Sequence, residues 1–327
     1  MKRLISLFFL LSLGVISLNA QSVDYSVVAV EEERGTDFMQ ITSSNDYVCM
    51  PMVIRKGNSK DISWLTNRII DVTPDGKSIA YLSSRNESTN IFVKELDKQG
   101  GSTQRTNRKA ILDFTYSPDG KYLVFSENRG TSHQIFLTDA NEGYICRQIT
   151  SASQDYSPIY NKDMSKIFFA RLENNNVSIW SYDVKSNFVS SYSSGMNPYP
   201  TDNNEVYLCT RMSSNGHSEI WRVNVRTGVE ECLVSDAQRS FTTPVLSPDG
   251  QWVLFVGVSD IVTPNFVYKN TDIYACRIDG TSMVQLTYHA ADDLSPVWSC
   301  DGKYIYFVSQ RGSATAAANI WRMPFVY

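Results

Sequence analysis

A short turn motif that recurs along the chain constrains its fold more than any other feature. In the clearest copy, residues 117–120 read Ser-Pro-Asp-Gly and precede the apolar run 122–125; a polar loop and a second run, starting at Ile135-Phe136, follow. Proline presets φ, aspartate can bond the nearby backbone and glycine accepts a positive φ, so these four residues favour a tight turn. The unit is typical of a β-hairpin.

The hairpin unit occurs six times. Its marker is an isoleucine followed by an aromatic residue, at Ile91, Ile135, Ile179, Ile220, Ile273 and Ile320. The turn or a remnant of it precedes each marker, at residues 73–76, 117–120, 161–164, 201–204, 247–250 and 299–302. Repeats of roughly 45 residues are typical of four-stranded propeller blades. The sequence therefore predicts an all-β fold, a six-bladed β-propeller of four-stranded antiparallel blades with WD-like repeats.

The two ends of the repeat region are complementary. Residues 38–42 (Phe-Met-Gln-Ile-Thr) resemble residues 146–150 and 283–287, which end their repeats, whereas residues 319–327 leave no room for a fourth strand in the last repeat. An unpaired strand edge is a liability that closure removes. We therefore expect the N- and C-terminal strands to pair within one blade.

Two repeats carry extra residues. In repeat one, either residues 46–53 or residues 69–72 could form the innermost strand, and residues 56–68 would then be a loop. In repeat five, residues 259–270 are expected to lengthen the loop between the second and third strands.

The N-terminus predicts export. Residues 1–20 combine Lys2 and Arg3 with an apolar run, which is typical of a signal peptide; residues 21–36 read as a flexible lead-in and residues 37–327 as the propeller. This predicts a periplasmic or secreted protein with no membrane span after cleavage. The net charge of -4 and the lack of a basic run argue against nucleic-acid binding. The six dispersed cysteines are expected to be mostly free, buried thiols.

One family carries this repeat. Residues 293–312, followed by residues 319–322, resemble the repeat of TolB-like β-propellers, and they are also similar to the propeller domains of dipeptidyl peptidase IV and prolyl oligopeptidase enzymes. The resemblance extends over residues 37–327 in six imperfect copies and implies the fold more than an activity. About sixteen residues separate the predicted signal from the first strand, where TolB carries an α/β domain, and the G-x-S-x-G motif of the peptidases is absent.

Five arginines recur just after the second predicted strand of their repeats: Arg85, Arg129, Arg171, Arg211 and Arg311. Because a guanidinium binds carboxylates through a planar fork, they could form a cationic collar at the channel mouth that binds an acidic peptide or partner surface. The alternative is that each arginine pairs with an aspartate at the start of a neighbouring innermost strand, such as Asp155 or Asp293, and pins blade to blade.

Three histidines and two acidic clusters complete the candidates. His133 and His217 occupy equivalent loops and are expected near the same mouth, whereas His289 precedes repeat six. Their spacing is not that of a metal motif, so neither a metal nor another cofactor is expected. Residues 31–33 and 292–293 are expected to be solvated, and the Ser-Pro-Asp-Gly turns are expected to be too short to form a pocket.

These features favour a non-catalytic binding protein. We expect a monomer that docks a protein or peptide partner of the cell envelope through its channel-mouth face. Two alternatives remain open: a propeller enzyme that acts on polysaccharide or peptide, and a carbohydrate-binding accessory protein.

Overall fold

The computed structural model describes Glu33 and residues 36–51, 53–55, 63–65, 68–98, 100–151, 153–174, 176–262, 267–313 and 315–327. The predicted signal peptide and most of the predicted lead-in lie outside these residues. Within the described part, no helix has both the length and the apolar character needed to span a bilayer.

The described residues form six four-stranded antiparallel sheets and one separate hairpin. The chain begins with β1 (Met39–Gln40), a 3-10 turn (Ser44–Asp46), β2 (Val53–Arg55) and β3 (Ser63–Leu65). Blade 1 contains β4 to β7 (Ile70–Val72, Ser78–Ser83, Asn90–Glu95 and Thr103–Gln104), with a second 3-10 turn at Arg85–Glu87. Blade 2 contains β8 to β11 (Ile111–Tyr116, Tyr122–Asn128, His133–Asp139 and Ile145–Gln148).

Blades 3 to 6 repeat this order. Blade 3 contains β12 to β15 (Asp155–Tyr160, Lys166–Glu173, Asn176–Asp183 and Phe188–Ser194), and blade 4 contains β16 to β19 (Met196–Pro200, Val206–Met212, Ser218–Asn224 and Glu230–Val234). Blade 5 contains β20 to β23 (Ser240–Leu246, Trp252–Val262, Val267–Arg277 and Val284–Gln285). Blade 6 contains β24 to β26 (Asp293–Trp298, Tyr304–Ser309 and Asn319–Pro324) and takes β1 as its outer strand.

The first strands of the blades form a closed ring around the central channel, each in contact with the next. The turns between first and second strands emerge at one end of the channel, called here the turn face. The loops between second and third strands, and the segments that enter each blade, emerge at the opposite loop face. The predicted six-bladed propeller is confirmed.

The repeated sequence features explain the packing and the turns. All six marker isoleucines are fully buried between blades. In the clearest turn, the Asp119 carboxylate accepts hydrogen bonds from the Ser117 hydroxyl (2.7 Å) and the Lys121 amide (3.1 Å). Gly120 donates its amide to Ser117 and has φ +71°, a value that the glycines of the other three Asp-Gly turns share. Their predicted position on the face opposite the histidine loops is confirmed.

The predicted closure is also confirmed. Met39 pairs with Arg322 and Gln40 with Trp321, and the Ile41 amide donates to the Ile320 carbonyl at 2.8 Å.

The structure decides the choice left open in repeat one and corrects the loops expected for the two insertions. The innermost strand of repeat one is Ile70–Val72, whereas Val48 only bridges to Ser83 at the end of β5. Residues 56–68, expected to be a loop, contain the strand Ser63–Leu65, which pairs with Val53–Arg55. The extra residues of repeat five extend β21 and β22 into a long hairpin, in which residues 259–262 pair with residues 267–270.

Candidate functional site

The five predicted arginines lie at the loop face, and four of them stack on the aromatic residue of their own repeat marker. The distances from guanidinium carbon to ring centre are 4.7 Å for Arg85 and Phe92, 5.8 Å for Arg129 and Phe136, 4.3 Å for Arg171 and Trp180, and 5.2 Å for Arg211 and Trp221. Arg311 lies instead over Phe38 at 4.2 Å. Such cation–π contacts hold the second and third strands of a blade together.

Each of the five arginines also has a carboxylate partner. The ion pairs are Arg85 with Asp46 (3.2 Å), Arg129 with Glu127 (3.3 Å), Arg171 with Asp155 (2.7 Å), Arg211 with Glu230 (2.7 Å) and Arg311 with Asp293 (2.5 Å). Asp155 and Asp293 begin the first strands of the same blades as their arginines, so the pairing lies within a blade and not between neighbouring blades. That these residues line a ligand site stays a prediction.

The acidic residues near Arg311 are not solvated as expected. Glu33 is 3% exposed and Asp293 is fully buried, and both bind the Arg311 guanidinium. Burial, reinforced by Asp293 and Glu33, raises the pKa of the neighbouring Asp272 to about 8. Burial and the two neighbouring carboxylates favour the protonated form of Asp272, although the charge of Arg311 opposes it.

The histidines contact separate partners at the loop face. The His133 Nδ1 bonds the Tyr156 hydroxyl, and burial lowers the pKa of this imidazole. His217 Nδ1 lies 3.2 Å from the Ser240 hydroxyl, while His289 is buried and its Nδ1 accepts the Ala291 amide. The described residues contain no group of three or more His, Cys, Asp or Glu side chains arranged to hold a metal ion.

A concave site opens at the other end of the channel, on the turn face. It is a funnel of about 430 Å³, and its rim consists of the second residue of each of the six turns: Pro74, Pro118, Lys162, Asp202, Pro248 and Cys300. Neighbouring turns pack side by side, since a Cβ added at Gly120 would lie 3.6 Å from the ring of Pro74 in the preceding blade. The short turns therefore form a pocket together, contrary to expectation.

The wall of the funnel is apolar and aromatic. It is formed by the last residues of the first strands, including Ile159, Val245, Leu246 and Val297, and by the rings of Tyr116, Tyr160, Tyr199 and Trp298. Ligand pockets usually have such walls, with a few polar groups that fix the orientation of the ligand.

The floor of the funnel holds a buried cation, Arg68. Its side chain reaches from blade 1 across the channel, where Nη2 donates to the Pro198 carbonyl of blade 4 at 2.9 Å. The guanidinium lies 5.2 Å from the ring centre of Tyr199, and burial lowers its pKa. Among the described residues, Nε and Nη1 have no hydrogen-bond partner.

Two aspartates flank Arg68 on the first strands of blades 1 and 2. Asp71 accepts the Tyr116 amide and Asp113 accepts the Ser157 amide, both at 2.9 Å, so each carboxylate joins its blade to the next. Burial raises the pKa of both to about 6, although the nearby Arg68 opposes the shift.

The described residues of the repeat-one insertion lie at the loop-face end of the channel. Met50 packs against Val256 and Leu294 of blades 5 and 6, and the strand Ser63–Leu65 approaches Ser240–Leu246. Arg68 is the first described residue after that strand, and it contributes to the floor of the funnel. Sequence reasoning missed Arg68 because it lies in this insertion, which has no counterpart in the other repeats.

Comparison with known proteins agrees with this architecture. The family model described as the TolB beta propeller domain matches residues 71–202. A protein from Agrobacterium tumefaciens, provisionally named TolB, superposes with a TM-score of 0.57 at 18% identity, over 81% of this chain and 93% of that one. TolB from Acinetobacter baumannii gives a TM-score of 0.53 at 20% identity, over 69% of this chain and 56% of that one.

An enzyme shares the same fold. Oligogalacturonate lyase from Vibrio parahaemolyticus superposes with a TM-score of 0.58 at 12% identity, over 90% of this chain and 95% of that chain. At this level of identity the similarity shows the fold and does not transfer an activity. Taken with the six blades and the recurring Pro-Asp-Gly turns, these matches show that the chain has the fold of a TolB-like six-bladed β-propeller.

Proposed function

We propose that this chain is an exported, non-catalytic binding protein that takes a peptide segment of a cell-envelope protein into the funnel on its turn face. The observation that carries the proposal is the funnel itself, an apolar and aromatic cavity of about 430 Å³ with one buried cation at its floor. A segment of a few residues fits such a volume, and the rigid propeller supplies a preformed site.

The composition of the site supports binding of a chain segment. Aromatic side chains provide large contact areas at a low cost in conformational entropy, and they are common where proteins bind peptides. The rim adds polar groups to this apolar wall. Two of them, Lys162 and Asp202, form an ion pair of 2.6 Å between blades 3 and 4.

The funnel and the predicted arginine site lie at opposite ends of the channel. At the loop face, each arginine already has a carboxylate and an aromatic ring as partners, which reduces its capacity to bind an additional anion. The turn face is therefore our first candidate for docking, and the loop face is the second. Residues 1–20 predict a signal peptide. Export through it would bring both faces into the envelope or outside the cell.

The rim cysteine allows a direct test. In a chain with Cys146→Ser and Cys232→Ser, Cys300 is the one exposed cysteine among the described residues, and it can be conjugated to benzophenone maleimide. Irradiation in envelope extract should yield one discrete protein adduct, whose cross-linked peptide is identified by mass spectrometry. The same protein should bind the unlabelled chain in purified form.

The matched control carries the photoprobe at Cys146, on the outer strand of blade 2, in a chain with Cys232→Ser and Cys300→Ser. We expect no adduct with that protein from this position. Equal adducts from both positions, or none from Cys300, would contradict docking at the funnel.

A further inference from the structure

The buried guanidinium of Arg68 has unused hydrogen-bonding capacity. The side chain is 4% exposed, it contributes to the floor of the funnel, and one of its three nitrogens is bonded to the Pro198 carbonyl. Nε and Nη1 together carry three N–H bonds, and neither atom has an acceptor among the described residues.

Such donors are costly to bury. A buried donor without a partner loses its hydration without a compensating bond, and the cost is larger for a charged group. The loop-face arginines show how this chain satisfies a guanidinium elsewhere, since Arg171 donates Nε and Nη2 to the two oxygens of Asp155 at 2.7 and 3.1 Å. Arg68 lacks an equivalent carboxylate within ion-pair distance among the described residues.

We infer that the floor of the funnel is a carboxylate-binding site, at which a docked peptide segment presents an acidic group to Arg68 while its neighbouring residues pack on the aromatic wall. The inference rests on the proposed function and specifies its ligand. The carboxylate can come from the C-terminus of the segment or from an aspartate or glutamate side chain, because both offer the same planar pair of oxygens.

Asp71 and Asp113 set the conditions for this binding. Both face Arg68 from the strands Ile70–Val72 and Ile111–Tyr116, together with the neutral Tyr199 of blade 4. At pH 7.5 their negative charges oppose a second anion, whereas at pH 5.5 the two carboxyl groups, with a pKa of about 6, are mostly protonated. A ligand carboxylate is still ionised there. Binding should therefore tighten at least threefold from pH 7.5 to 5.5, and an affinity that falls would contradict the site.

The test uses three pools of random N-acetylated hexapeptides and the purified full chain. The first pool has free C-termini and no Asp or Glu, the second contains Asp and Glu but is amidated, and the third has neither source of carboxylate. We expect enrichment from the first or the second pool, which identifies the source, and none from the third.

Variants of the chain then locate the bound carboxylate. For the best peptide, Arg68→Gln should weaken binding at least tenfold, and so should conversion of the peptide carboxylate to an amide, tested on the unaltered chain. Arg226→Gln, in the exposed turn after Ser218–Asn224, is the matched control and should bind as the unaltered chain does. Amidation of the peptide leaves the protein unchanged. This comparison therefore tests the carboxylate even if Arg68→Gln lowers the melting temperature.

The outcomes separate the two proposals. Equal binding of the third pool, blocked when Cys300 of the Cys146→Ser, Cys232→Ser chain carries a polyethylene glycol maleimide much larger than the photoprobe, would overturn the carboxylate inference and leave the funnel as a docking site. Binding that the Cys300 conjugate does not affect, or no binding from any pool, would overturn both.

Discussion

At the scale of single residues, the turn motif depends on the properties of each amino acid in it. Serine and aspartate side chains replace backbone hydrogen bonds, and glycine takes the left-handed conformation. These local roles are readable from sequence because all partners lie within five residues, and the four Asp-Gly turns form as predicted.

We expect Gly120→Val to lower the free energy of unfolding by more than about 1 kcal/mol, because a β-branched residue is strained at φ +71°. A Cβ atom at position 120 would lie 3.6 Å from the ring of Pro74, which leaves sufficient space for a side chain. The loss of stability therefore comes from the backbone conformation. Gly100→Val is the control, since Gly100 has open surroundings and no positive φ. Urea denaturation measures both, and equal effects would contradict the turn assignment.

The raised pKa of Asp272 predicts an unusual pH dependence of the free energy of unfolding. Its pKa is raised from 3.8 to about 8 by burial and by Asp293 and Glu33, so the folded state binds a proton that the unfolded state releases. Its contribution to stability is therefore largest below pH 4 and is lost as the pH rises towards 8. The Asp272→Asn variant cannot lose a proton at this position. The difference between its free energy of unfolding and that of the unaltered chain should therefore shift in favour of the variant by at least about 1 kcal/mol from pH 5 to pH 8.5. A difference that stays constant with pH would show that Asp272 is ionised in the fold.

At the scale of the blade, the recurring arginine joins the second and third strands to a carboxylate. The arginine and its aromatic ring recur at a regular spacing, which the sequence made visible. The carboxylates follow the repeat less closely: Asp155 and Asp293 both begin the first strand of their blade, whereas Asp46, Glu127 and Glu230 come from three other places. Sequence spacing therefore identified the arginines as a set and two of the carboxylates, Asp155 and Asp293, but assigned these two to the arginines of neighbouring blades.

The burial of these pairs predicts unequal effects of the same substitution. Arg311→Gln should lower the free energy of unfolding by about 3 kcal/mol, because it leaves Glu33 and Asp293 buried without a cation. Arg129→Gln should cost less than about 1 kcal/mol, since the Arg129 side chain is 48% exposed. Thermal and urea unfolding test this ranking. If both variants keep full stability while partner binding falls, the loop-face arginines bind ligand instead.

At the scale of the whole molecule, the sequence predicted the ring but not the funnel. Blade number and closure follow from repeats and from the two incomplete ends. The funnel needs six turns, about 45 residues apart along the chain, to converge with an arginine from an insertion that no other repeat contains. Only the folded ring brings these residues together.

Closure of the ring predicts how a proline substitution in β1, the outer strand of blade 6, changes the free energy of unfolding. The Ile41 amide donates to the Ile320 carbonyl, whereas the amide of Gln40, the preceding residue of this edge strand, points away from β26 by the alternation of an antiparallel ladder. Proline removes the donor, so Ile41→Pro should lower the free energy of unfolding by about 1–3 kcal/mol. Gln40→Pro should cost clearly less, because edge strands tolerate proline where the amide faces solvent. Urea unfolding measures both, and proteolysis should cut the last strand of the Ile41→Pro variant faster. Equal stability of the two variants would mean that pairing of the chain ends contributes little to holding the six blades together.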